Sequence, residues 1–92
     1  MQLVMKVRKR GYMMTNLEKY NQAFMNAFEI TQDMLDSKLE YQSIQNWDSV
    51  GHMGLIAELE EAFEIMFETE DIIDFSSYEK GKEIIAKYEV II

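Results

Sequence analysis

Asp48, Ser49 and His52 place a carboxylate, a hydroxyl and an imidazole within five residues. On a helix, Ser49 and His52 fall near the same side of one turn. The pair suggests a serine nucleophile, but a serine hydrolase also needs an acid that orients the imidazole and paired donors for an oxyanion. The sequence shows neither around its single histidine. It has no cysteine, hence no disulfide framework, no zinc cluster and no thiol nucleophile. The acids Glu68, Glu70, Asp71 and Asp74 lack the D-x-[DN]-x-[DN]-G spacing of a calcium loop. Two readings of Asp48-Ser49 remain. One is a plain helix start, where such residues are ordinary. The other is a serine modified by a second enzyme. A helix N-terminus carries unpaired N–H groups and a partial positive charge, so a phosphate ester on that hydroxyl sits in a favourable field.

The elements that must present this serine are helical, because strand-like alternation is weak. Thr15 and Glu18 have capping-box spacing, and Leu17, Tyr20, Phe24, Ala27 and Phe28 follow on one face. This predicts a first helix over about Asn16 to Ile30. Thr31 to Trp47 has no sustained period and is long for a loop in a compact domain. Its apolar residues Met34, Leu35, Leu39, Tyr41 and Ile44 can pin it to a bundle, and Trp47 reads as the packing anchor that joins loop to helix. A second helix is predicted over Ser49 to Phe63, capped by Asp48, with Val50, Met53, Ile56, Leu59 and Phe63 as its apolar face and Leu55 and Ala62 beside it. That pattern leaves His52 on the surface. An apolar connector follows, with anchors at Ile65, Phe67, Ile72, Ile73 and Phe75 and a short helix around Glu70 to Asp74. Ser76 and Glu79 have capping-box spacing for a last helix with Tyr78, Gly81, Ile84, Ile85 and Tyr88 inward. The sum is a small all-α bundle of three main helices with a short extra one.

Ninety-two residues make one small domain with a modest core. Charge divides it. Residues 1–13 carry Lys6, Arg8, Lys9 and Arg10 and no acid, while residues 14–92 hold five lysines against seventeen acids, a balance of −12. The first part fits no helical pattern and reads as an N-terminal extension, disordered or not native, with Met13 or Met14 as an alternative start. The acidic part does not suit nucleic acid or an anionic membrane and suits partners with basic patches, or simply a solvated surface. No apolar run approaches the length of a membrane span, and the basic residues follow the apolar ones, opposite to a signal peptide. A cytoplasmic protein is expected.

The run NWDSVGHMGLIAELEEAFEI resembles the signature of acyl carrier proteins. The elements that carry the resemblance are Asp48-Ser49-Val50, Met53, Leu55-Ile56 and Leu59-Glu60-Glu61-Ala62-Phe63, and the likeness of layout extends over about residues 15 to 88. It implies a three- to four-helix bundle of acyl-carrier type, with a long loop between the first two main helices. It implies a 4′-phosphopantetheine arm on Ser49, transferred from coenzyme A by a magnesium-dependent phosphopantetheinyl transferase. The arm's thiol holds an acyl or aminoacyl group as a thioester, so that the sulfur is imported into a cysteine-free chain. Asp48 then serves as helix cap and in transferase recognition. Glu58, Glu60 and Glu61 meet basic patches of partner enzymes, with Val50, Met53 and Ala57 as the apolar part of that contact. The partners implied are the transferase, an acyl- or aminoacyl-loading ligase and downstream transferases, met by a monomer that is not itself an enzyme.

The chain departs from the fatty-acid carriers in two places. Asn46-Trp47 stands where they usually have Gly-Ala or similar, and Gly51 and Gly54 stand where acids are common. The form is more similar to stand-alone carriers of specialised pathways. The missing side chains of the two glycines remove bulk near the arm and allow a close approach there. The competing reading is an acidic helical interaction module that keeps the carrier fold without the arm.

Overall fold

A computed structural model describes residues 14–92 of the protein. The N-terminal extension expected over residues 1–13 lies outside the described residues. Four helices follow in order: α1 (Asn16–Phe28), α2 (Ser49–Phe63), α3 (Thr69–Asp74) and α4 (Tyr78–Ala86), with one 3-10 turn at Gln32–Met34. Among the described residues there is no strand, and a single antiparallel bridge pairs Glu40 with Ser77. The domain is an all-α bundle.

α1 starts where its cap dictates. The Thr15 hydroxyl accepts from the Glu18 amide at 3.1 Å, and the Glu18 carboxylate accepts from the Thr15 amide at 2.8 Å. The helix ends at Phe28, two residues short of the expected Ile30, because Glu29 turns left-handed (φ 57°) and its amide closes back on Met25. The inner face is Tyr20, Ala23, Phe24 and Phe28, while Leu17 is exposed, contrary to the expected pattern. α2 has the expected limits, but its face is shifted. Ile56 and Leu59 point inward as expected, Leu55 joins them from beside the expected face, and Val50 and Met53, placed on that face and also in the partner contact, are 79% and 53% exposed. Two apolar stripes share the 3.6 period here, and the one bearing three large aliphatic side chains wins the core.

The core is aromatic. Phe24 lies edge-on to Phe28, Trp47 and Tyr78, and Trp47 stacks on Phe28 with centroids 5.0 Å apart. Gly81 lets α4 settle onto α1, since a Cβ there would stand 2.2 Å from both the Phe75 ring and the Tyr20 hydroxyl. That hydroxyl donates to the Tyr78 carbonyl at 2.6 Å, which satisfies a buried polar group. Burial, then the neighbouring Tyr78 and Glu79, push the Tyr20 phenol far above its ordinary value.

The long first loop is pinned rather than free. Leu39 and Trp47 are buried, Leu35 and Ile44 half-buried, and Met34 and Tyr41 remain exposed. The bridge exchanges two hydrogen bonds, from the Tyr41 amide to the Ser76 carbonyl and from the Tyr78 amide to the Leu39 carbonyl, each 2.9 Å. This corrects the start of α4. The Ser76 backbone is committed to the loop, so the helix begins a residue later, and Ser77 caps it by accepting from the Lys80 amide at 2.9 Å.

Candidate functional site at the first turn of α2

Ser49 is the first residue of α2, and it is exposed. Asp48 is the N-cap: its backbone is extended and its Oδ1 accepts from the Gly51 amide at 2.8 Å. One carboxylate oxygen is thereby committed to the helix, as the sequence indicates.

Asn46 and Trp47 set the angle at which the chain enters this turn. The Asn46 side chain donates to the Phe28 carbonyl at 2.8 Å and so satisfies the end of α1. The Asn46 carbonyl lies against α2, where a Cβ on Gly51 would be 1.9 Å from its oxygen. The space left by Gly51 is therefore filled by the protein's own backbone and not left open for an arm or a partner. Gly54 differs, with nothing within 4 Å of a Cβ at that position. Trp47 is fully buried between Phe24 and Phe28, the packing anchor that its type suggests.

His52 faces inward, not outward. Its Nδ1 lies 2.9 Å from the Trp47 indole nitrogen and its Nε2 lies 2.8 Å from the Ile72 carbonyl oxygen. The expected surface position rested on taking Val50 and Met53 as the inner stripe. His52 is in helical phase with Leu55, Ile56 and Leu59, so the correct phase of α2 reveals it.

Between the start of α2 and α3 opens a cavity of about 380 Å³. Ser49 lies at its edge, and Tyr41, Met53, Ile72, Ile73, Phe75 and Ser76 complete the wall with His52. The lining is mostly apolar, so the cavity suits an apolar group carried close to Ser49. Of these residues Ser49 and Met53 are site candidates from the sequence, and His52 lies beside them on α2. Tyr41 comes from the loop, Ile72 and Ile73 from α3, and Phe75 and Ser76 from the segment after it. Their convergence on Ser49 depends on tertiary packing that no local pattern records.

The remaining candidates divide. Val50, Ala57 and Glu61 are exposed and recur at helical spacing on one outward stripe of α2, with Met53 beside it. Glu60 is half-buried, and its carboxylate accepts from the Phe67 amide at 3.0 Å, holding the connector to α2 instead of standing free. Glu58 is half-buried on the flank that faces α1, beside Lys19 and Ala23.

α3 is the wall opposite Ser49, and polar contacts hold it. Asp71, a buried carboxylate, accepts from Lys87 Nζ and from the Tyr88 hydroxyl, both at 2.5 Å. Those two hydrogen bonds keep Asp71 below the usual carboxylate range against the opposing effect of burial. The same contact with Asp71 raises Lys87, while Tyr88 is raised by burial first and by Asp71 second. Ile73, expected as an anchor, is 73% exposed. No group of three or more His, Cys, Asp or Glu side chains gathers to hold a metal among the described residues, and no helix among them is long and apolar enough to cross a membrane. The chain matches no family model, no curated protein and no solved structure.

Proposed function

We propose that this chain is a cytoplasmic carrier protein of acyl-carrier type, with a 4′-phosphopantetheine arm on Ser49. The observation that carries the reading is the placement of one exposed serine on the first turn of a capped 15-residue helix, at the edge of an apolar cavity. When attached, the arm supplies a thiol that holds an acyl or aminoacyl group as a thioester.

The residues present fit that group. Ser49 offers a hydroxyl to solvent, on a turn that α2 holds rigid through Asp48 and through the Asn46–Gly51 contact. The first-turn amides left unpaired favour a phosphate diester at this point. The apolar lining keeps water from part of whatever the arm carries. Val50, Met53, Ala57 and Glu61 give a mixed apolar and acidic stripe beside the serine, suited to basic enzymes that dock briefly and leave. The phosphopantetheinyl transferase, a loading ligase and downstream transferases are the partners of this reading.

Incubation with coenzyme A and a broad-specificity phosphopantetheinyl transferase tests it by mass spectrometry. The expected result is a gain of one phosphopantetheine, lost in Ser49→Ala. No gain on the folded wild-type chain refutes the reading and leaves an armless acidic interaction module in its place.

A further inference from the structure

His52 joins three elements around the cavity. It projects from α2 one turn after Ser49, meets Trp47 at the end of the loop, and reaches the Ile72 carbonyl in α3. An indole N–H only donates, so Nδ1 of His52 is the acceptor. The ring proton then sits on Nε2 and is donated to the Ile72 oxygen. This geometry assigns the ring one defined tautomer. The ring lies nearly parallel to Trp47, at 15°, and edge-on to Tyr41 and Phe75.

The Ile72 carbonyl belongs to the last turn of a six-residue helix, where carbonyls have no helical partner. The beginning of α3 is tied elsewhere: Phe67 to Glu60, and Asp71 to Lys87 and Tyr88. His52 holds the other end, next to Ile72 and Ile73, which form the cavity wall facing Ser49. We propose that His52 is a positioning residue: it clasps α3 and so sets the width of the cavity, and with it the length of apolar acyl group that the chain shelters beside Ser49. The sheltering rests on the carrier reading, whereas the clasp itself does not.

Substitution separates these parts. His52→Gln keeps an acceptor and a donor at nearly the spacing of the ring nitrogens. His52→Leu keeps bulk and removes both. On the unmodified chain, ¹⁵N spectra of wild type are expected to show a bare Nδ1 and a protonated Nε2. In His52→Leu, amide exchange over residues 73–75 rises about tenfold, the worth of one hydrogen bond, and His52→Gln restores it. On chains loaded with butanoyl or dodecanoyl groups, hydroxylamine releases each thioester at a rate set by its shelter. In His52→Leu the dodecanoyl group gains shelter relative to butanoyl by about threefold or more, again within the range of one hydrogen bond, and His52→Gln reverses the change.

The opposite tautomer, or an unchanged exchange rate in a folded His52→Leu, overturns the clasp. An unchanged butanoyl-to-dodecanoyl ratio with altered exchange overturns its control of cargo length. If His52→Leu does not fold, His52→Asn, too short to bridge Trp47 and the Ile72 carbonyl, takes its place: the wild-type tautomer and the exchange rates in His52→Asn against His52→Gln decide the clasp, and the same two chains when loaded decide the cargo ratio. A wild-type chain that takes no arm defeats the carrier reading and the cargo control together, and leaves the clasp to stand or fall on the unmodified chain.

Discussion

α1 and α3 are attached to the rest of the bundle by different forces. α1 inserts Tyr20, Phe24 and Phe28 into an aromatic cluster completed by Trp47, Phe75 and Tyr78. α3 buries only Asp71 and turns Ile73 to solvent, and the fixed points of α3 and the residues leading into it are hydrogen bonds with Glu60, His52, Lys87 and Tyr88. Burial of apolar area is non-directional and accumulates with size, whereas each hydrogen bond is directional and competes with water for about 1 kcal/mol net. The cavity beside Ser49 therefore has its yielding wall in α3, while α1 belongs to the firm core of the bundle. On the proposed carrier function, a site that accepts, shelters and surrenders a group would gain from that asymmetry.

The firm side breaks at the greatest cost. Phe24→Ala is expected to remove about 3–5 kcal/mol of folding stability, a large share of the total for a small domain, read as the shift in urea midpoint at constant slope. Gly51→Ala attacks the joint between the loop and α2. The helix gains about 1 kcal/mol of propensity from alanine, but the new Cβ meets the Asn46 carbonyl, and overpacking costs about 1–3 kcal/mol. A net loss is expected, together with a changed emission from Trp47. A stability equal to or above wild type would show that the Asn46 backbone yields freely.

The yielding side responds to pH. Asp71 is held below its ordinary value of 3.8, so its contribution is present above that pH and is lost as pH falls through the lower folded value. Asp71→Asn is expected to lower stability at neutral pH and to shrink the further loss between pH 7 and about pH 3, measured as urea midpoints at each pH. Identical acid profiles for variant and wild type would remove Asp71 from the anchoring of α3. The smallest effect is expected at Gly54→Ala, where open space leaves only the propensity gain of about 0.5–1 kcal/mol. The same substitution three residues apart on one helix thus changes sign, and a thermal midpoint for each variant checks it.

What the sequence makes legible follows from local rules. Thr15 and Asp48 are side-chain caps, and their hydrogen bonds reach only three residues, so the starts of α1 and α2 are readable from the letters alone. The phase of α2 is not, because Val50 and Met53 are as apolar as Leu55 and Ile56 and only packing decides between them. The misplacement of His52 follows from that single ambiguity. Ser76 and Ser77 are equivalent as caps until the loop pairs with Ser76 from far away in the chain. Ser49 and Asp48 are visible as candidates, while the cavity wall from Tyr41, Ile72, Phe75 and Ser76 exists only once loop, α2 and α3 have met. The unusual Asn46-Trp47 pair stands out in the sequence, and the structure shows that both side chains serve the fold, Asn46 by closing the end of α1 and Trp47 by filling the core.

The Glu40–Ser77 bridge also has a consequence for synthesis. The loop that precedes Ser49 cannot be locked until residues 76–78 have left the ribosome, since the Tyr41 amide and the Leu39 carbonyl find their partners there. The Tyr20 and Tyr78 hydroxyls likewise bond across 58 and 57 residues. Chains emerge at about 5–20 residues per second, so for seconds the nascent protein has α1 and α2 but no finished entrance to the serine. Contacts over such separations carry a loop-closure cost and form slowly. A modifying enzyme that reads the shape around Ser49, and not its sequence alone, would pass over the unfinished chain.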